Sequence, residues 1–187
     1  MPLETSQSEA KVEAMSTKVK ALITDICGQQ NTAKCVVFSF WTYTLDLVET
    51  MLNHHNIPFT RIDGKMNLKK RTIALDEFQK NEALRVILVS ITCGGAGLDI
   101  TAASRVYLLE PHWNPMIEEQ AICRVHRVGQ KQDVTTIRYV MKNTFEEQVV
   151  EIRKRKKLLA QVTFGQGPLL DDNLGMGMLE YLKAALE

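Results

Sequence analysis

Five short apolar runs recur along the chain: "KCVVFSF", "FTRIDG", "RVILVSI", "RVYLLEP" and "TTIRYVM". The first, third and fourth are nearly continuous in Val, Ile, Leu and Phe, the pattern of strands buried on both faces of a parallel sheet. Between the runs, the apolar spacing changes to that of helices. In "STKVKALITDICGQ", Val19, Leu22, Ile23 and Ile26 share one face, and Gly28 stands where a helix would stop. In "YTLDLVETMLNHHN", Leu45, Val48, Met51 and Leu52 do the same, with Thr42 or Thr44 as the cap. In "NLKKRTIALDEFQKN", Leu68, Ile73, Leu75 and Phe78 face the core behind an Asn67 cap. "TFEEQVVEIRKRKKLLAQV" opens with Thr144 and Glu147 at the spacing of a capping box. Strands alternating with helices predict an α/β fold in three layers, a central parallel sheet with helices on both faces. Residues 1–15 read as a polar lead, 16–162 as the folded domain, and 163–187 as a Gly-rich linker followed by an amphipathic helix.

In open parallel sheets, ligands bind at the carboxyl ends of the strands. After "VVF" come Ser39 and the start of a helix, whose free amides suit phosphate. After "RVILVS" comes "ITCGGAGLDITAAS". Its Gly94, Gly95 and Gly97 let backbone approach a ligand, with Ser90 and Thr92 as donors. After "RVYLLEP" comes "HWNP" and then "QAICRVHRVGQK". At about 100° per residue, Gln120, Arg124 and Arg127 fall on one stripe of a helix stopped by Gly129, with Ile117, Ala121 and Val125 on an inward stripe. Such a pair of guanidiniums serves either ordinary surface salt bridges or an anion placed before it.

Composition narrows the choice. The 187 residues are 45% hydrophobic and 24% charged with a net charge of +1, so any affinity for nucleic acid must be local. The run "RKRKK", Arg153 to Lys157, is either such a patch or the solvated face of a helix. The four cysteines fit no zinc pattern and read as buried free thiols, so no metal site is expected. The polar N-terminus carries no secretory signal and no apolar run reaches membrane-spanning length, which predicts a nuclear or cytosolic protein. The chain also lacks Gly-x-x-x-x-Gly-Lys-Ser/Thr, and no Asp-Glu pair follows a buried strand. Phosphate-reaching arginines without a phosphate cradle point to a second lobe that reaches across a cleft to ATP held elsewhere.

From about Ser16 to about Gln161 the sequence resembles the C-terminal RecA-like lobe of Swi/Snf-type helicase-like ATPases of superfamily two. "VVFSFWTYTLDLVETML" is similar to that family's fourth motif, "VSITCGGAGLDITAASRVYLLEPHWNP" to the fifth with its extension, and "EEQAICRVHRVGQKQ" to the sixth. The segment "LLDDNLGMGMLEYLKAALE" is most like the fungal Rad-type repair branch.

The resemblance implies a RecA-like, P-loop NTPase-type fold and half of a composite ATP hydrolase acting on double-stranded DNA. Arg124 and Arg127, with Gln120 beside them, would meet the γ-phosphate, and Gly97 and Asp99 would line the nucleotide. Ser39, Ser90, Thr92, Gly94 and Gly95 would contact DNA phosphates, Trp113 would lie near the DNA, and Arg71 would touch its backbone. ATP with Mg2+ would be held mainly by an N-terminal RecA-like lobe. Further implied partners are nucleosomes or repair proteins, with a nuclear address and no membrane. Phosphate contacts of this kind are sequence-independent and weaken steeply with salt. Two positions depart from the family pattern: Phe40 stands where Gln is common, and Asp99 where Asn is common. The alternative reading is a non-catalytic fragment that binds DNA or a partner.

Overall fold

The computed structural model describes residues 16–29, 33–93 and 97–163. The chain runs α1 (Thr17–Gly28), β1 (Cys35–Ser39), α2 (Thr42–His54), β2 (Phe59–Ile62), α3 (Leu68–Lys80), β3 (Val86–Ser90), β4 (Arg105–Leu108), α4 (Pro115–Ile122), β5 (Thr135–Arg138) and α5 (Phe145–Thr163), with a 3-10 turn at Ile91–Cys93. All five apolar runs are strands. They form one sheet in the order β2-β3-β1-β4-β5, and every pairing is parallel. This is the expected α/β architecture.

The strands separate two cores by simple alternation. Cys35 and Val37 join Leu88 and Tyr107 beneath α1 and α2, which contribute Val19, Leu22, Ile26, Leu45, Val48 and Leu52. Val36 and Phe38 join Ile87, Val89, Val106 and Leu108 on the other face, covered by Ala74 and Phe78 of α3 and Ala121 of α4. The registers Phe38↔Val89 and Phe38↔Leu108 bring the carboxyl ends of the three central strands to one level. The loops that follow Ser39, Ser90 and Leu108 therefore open at the same edge.

Local readings hold with specific exceptions. Asn67 caps α3 through its side chain, which accepts from the Lys70 amide at 2.9 Å. The start of α2 is capped by neither threonine: its N-cap residue is Trp41, and Thr42 is the first helical residue. On α3, Leu68 and Ile73 point outward, 69% and 57% exposed, while Ala74 and Phe78 are buried. A 3.6-residue period places Ala74 and Phe78 on one stripe four apart, and the larger Leu68 and Ile73 lie off it. The capping box at α5 is shifted by one residue at each end. Thr144 Oγ1 accepts from Glu146 N at 3.3 Å, and Glu147 reaches back to Asn143 N at 3.1 Å. Of the cysteines, Cys35 and Cys93 are buried as expected, but Cys27 and Cys123 are exposed. Residues 1–15 and 164–187, with the expected lead, linker and last helix, lie outside the described residues.

Candidate functional site

The sharpest difference between expectation and structure lies at the arginines. Helix α4 opens with an Asn114 side chain accepting from Met116 N at 3.1 Å and with Pro115 in the first turn, where its missing N–H costs nothing. It ends at Ile122, with Cys123 as its C-cap residue. Arg124 and Arg127 are thus not on a helical stripe with Gln120. They lie in a chain of tighter turns, in which Arg124 N donates to Ala121 O, Val125 N to Ile122 O, and Arg127 N to Val125 O. Gly129, at φ 106, reverses the backbone in a region that favours glycine, but well past the end of the helix.

Those turns are held by two cross-links to the loop after β3. Ile100 N donates to Arg124 O at 3.0 Å. The side-chain amide of Gln130 donates to Thr101 O, Ala103 O and Val125 O at 3.1, 2.8 and 3.2 Å. Buried Val125 anchors the segment in the core between them.

The arrangement nevertheless gathers half of the expected residues around two adjoining clefts. One, of about 290 Å³, is lined by Gly97, Leu98, Gln120, Cys123, Arg124 and Arg127. The other, of about 250 Å³, is walled by Phe38, Phe40, Val89 and Ile117, with Ser90, Thr92, Gln120 and Arg124 also lining it. Gln120 and Arg124 belong to both. Burial, and then the Arg127 charge, lowers the Arg124 guanidinium from its ordinary value. It stays protonated at any physiological pH, so the pair is a concentrated positive charge at the wall of an open cleft. Ser90 Oγ and Thr92 Oγ1 are 2.9 Å apart, the first buried and the second exposed.

Other expected residues sit elsewhere. Ser39 is fully buried. Its Oγ lies 3.0 Å from Glu110 Oε1 and accepts from Trp41 N at 3.0 Å. Arg71 is half-buried and donates to Asp63 O at 3.3 Å. Asp99 is exposed, and its carboxylate accepts from both the amide and the hydroxyl of Thr101, at 3.1 and 2.7 Å, which shapes its own loop. Trp113 is 56% exposed. It stacks on His112 with ring centres 5.2 Å apart, His112 stacks on Phe40 at 4.4 Å, and Lys156 Nζ lies 4.5 Å over the Trp113 ring. Gly94 and Gly95 lie outside the described residues.

The basic run divides accordingly. Arg153 turns inward to Glu118, Lys156 covers Trp113, and Lys154 and Arg155 pair with Glu151 on the helix surface. Three residues escaped the reading of the sequence: Gln130, Glu110 and Glu118. Glu118 had a signal, since it stands three residues before Ala121 and seven before Val125, an acid on an inward stripe. Gln130 had none, because two of its three backbone partners, the Thr101 and Ala103 carbonyls, are far away in sequence.

Glu110 gives a first prediction. Burial pushes its carboxyl up from its ordinary value, against the pull of the Ser39 hydroxyl and the Phe40 amide. A raised folded-state value makes this group's contribution to stability fully present below the ordinary carboxylate range and lost as pH rises through the elevated value. Glu110→Gln removes that dependence. Thermal midpoints of the variant, measured from about pH 4 to about pH 7, should therefore gain on those of the parent as pH rises. Parallel curves would contradict the assignment.

Comparison with known proteins agrees with the fold. The model of the helicase conserved C-terminal domain matches residues 17–129. A putative SWI/SNF-related matrix-associated actin-dependent regulator of chromatin, subfamily A member 3-like 1, from Arabidopsis thaliana is 44% identical over 165 residues, covering 86% of this chain and 19% of that protein. DNA repair protein RAD5A of the same plant is 36% identical over 169 residues, covering 90% of this chain and 16% of its own. The chain thus spans under a fifth of the length of these relatives. The crystal structure of the C-terminal part of the Fun30 ATPase domain superposes with a TM-score of 0.72 at 28% identity, covering 74% of this chain and 46% of that one.

Proposed function

The chain belongs to the helicase conserved C-terminal domain family, with Rad5-type repair proteins among its relatives, and on that premise we propose that it is the second motor lobe of an ATP-dependent double-stranded-DNA translocase. In this reading, Arg124 and Arg127 reach a triphosphate held by an N-terminal RecA-like lobe. The observation that carries it is the pair of guanidiniums at one open cleft, which Gln120 and Gly97 also line. Like charges so placed repel each other, and an anion of high charge density relieves that repulsion. As the phosphoryl group transfers, its equatorial oxygens gain charge, and fixed cations stabilise that state more than the ground state. Gln120 donates from its amide to the same phosphate or to the attacking water. These groups suit phosphate oxygens. Mg2+ would travel with the phosphates on the other lobe and neutralise charge there. Gly97 leaves backbone room for the nucleotide, and Asp99 keeps the shape of that loop.

The adjoining cleft suits DNA. Ser90 and Thr92 present hydroxyls there, and by the resemblance Gly94 and Gly95 add backbone amides. Ser39 acts from beneath, holding the Trp41 amide and so the turn into α2. Trp113 and Lys156 offer a ring and a cation toward the duplex, and Arg71 supports the Asp63 turn from the side. Because Gln120 and Arg124 line both clefts, DNA contact and nucleotide contact share residues, which is what coupling of translocation to hydrolysis requires. The relatives, a putative chromatin regulator and a DNA repair protein, support a nuclear role in repair or remodelling, with nucleosomes or repair proteins as partners.

The test is reconstitution. The purified chain should show negligible DNA-stimulated ATPase, because the sequence carries no phosphate-binding loop. Fused to the N-terminal RecA-like lobe of a Rad5-type relative, it should gain turnover that depends on duplex DNA. Robust hydrolysis by the chain alone would overturn the two-lobe reading. DNA binding without turnover in the fusion would favour the binding-module alternative.

A further inference from the structure

Glu118 is fully buried, yet it is a carboxylate on the inward side of α4. Its Oε1 accepts from His112 N at 3.2 Å, and its Oε2 accepts from Arg138 Nε at 3.0 Å and Arg153 Nη1 at 2.6 Å. Three donors thus converge from three places: the loop before α4, strand β5, and helix α5. Packing alone would be served as well by leucine, since a buried ion pair contributes little net stability once desolvation is counted. What three directed bonds add is orientation. They set the roll of α4 about its axis. Gln120, two residues on and about 200° round the helix, is thereby turned toward the cleft, and the arginine turn starts from a fixed point.

Helix α5 grips the same corner twice. Arg153 reaches Glu118, and Lys156, almost one turn later, lies over Trp113. The two contacts bracket the segment from His112 to Glu118. Resting on the function proposed above, we propose that Glu118 is the positioning residue for the arginine-bearing segment, and that α5 sets its pose through Arg153. The helix after the sheet is then part of the nucleotide site's adjustment, although none of its described side chains lines either cleft.

Hydrogen exchange on the whole chain tests this directly. Arg153→Met keeps the apolar stem and removes the charge. It should speed amide exchange across residues 112–127 by about tenfold or more, leaving β1 and β3 unchanged, because local opening is governed by local contacts. Glu118→Gln should act on the same residues, and Arg153→Lys should restore much of the protection. Unchanged exchange in 112–127, uniform acceleration of the whole domain, or a lysine variant as open as the methionine one would overturn the inference. In the two-lobe fusion, Arg153→Met should lower kcat by about 10²-fold, the order expected of a small misplacement, with KM for ATP little changed. The two readings fail separately. Turnover that survives Arg124→Ala would sink the proposed function, whereas turnover lost with Arg124→Ala but normal in Arg153→Met would sink the role of Glu118.

Discussion

Replacing Arg124 or Arg127 with alanine in the two-lobe fusion is expected to lower ATP turnover by about 10³-fold or more, with DNA affinity nearly intact. The size follows from the role proposed for the two side chains. A guanidinium directed at a transferring phosphoryl group in a cleft with restricted water acts at low effective dielectric, and no mobile ion replaces it. The two substitutions should not be equivalent. Arg124 lines both clefts, and its backbone carbonyl is held by Ile100. Arg127 lines only the outer one and is exposed. A small effect on DNA binding is therefore expected for Arg124→Ala and none for Arg127→Ala. Steady-state ATPase with saturating duplex, alongside a DNA titration, measures both. Loss of DNA binding with normal hydrolysis would mean that the segment serves the other ligand.

The second large effect concerns the fold. Phe78→Ala is expected to cost about 3–5 kcal/mol of unfolding free energy. The ring is fully buried on the α3 side of the sheet, among Val36, Ile87 and Val106. It is also the floor beneath Lys34, whose Nζ lies 5.0 Å over the ring and donates to the carbonyls of Phe78 and Asn81. Lys34 thus closes the C-terminus of α3, a favourable place for a cation. Its pKa is lowered from the ordinary value by burial, against the opposing pull of Glu82. Ile73→Ala on the same helix should change stability by less than about 0.5 kcal/mol, as surface substitutions do. Denaturant midpoints of the two variants give the contrast, and a costly Ile73→Ala would mean that its exposed face is covered by something.

These two residues also show where the sequence is legible. Phe78 and Ile73 are both large and apolar on one helix, and apolar character alone sends both inward, although five residues place them about 140° apart around its axis. Whether a position faces the core depends on the tilt of the helix against its sheet, which is set by contacts distant in sequence. The three central strands were plain because burial on both faces demands continuous apolar runs, as in Val86–Ser90. The clefts were plain in outline because parallel topology sends every strand's next loop to one edge. The arginine turn was not. Helical spacing from Gln120 to Arg127 continues unbroken in the letters, and what ends α4 at Ile122 is a set of tertiary bonds from Ile100 and Gln130. The setting of Ser39 was illegible for a similar reason. A hydroxyl at a strand's carboxyl end is a reasonable phosphate donor until a neighbouring acid, here Glu110, claims it.

The early end of α4 has a mechanical outcome. A helix yields as a cooperative block, so arginines riding on one would advance and withdraw together. Turns yield bond by bond. The main chain of Arg127 is tied by its amide to Val125 and by its carbonyl to Gln130, while that of Arg124 is fastened to the sheet's own loop through Ile100. If the function proposed above holds, a shift of Arg127 therefore need not carry Arg124 with it, as a rigid rod bearing both would require.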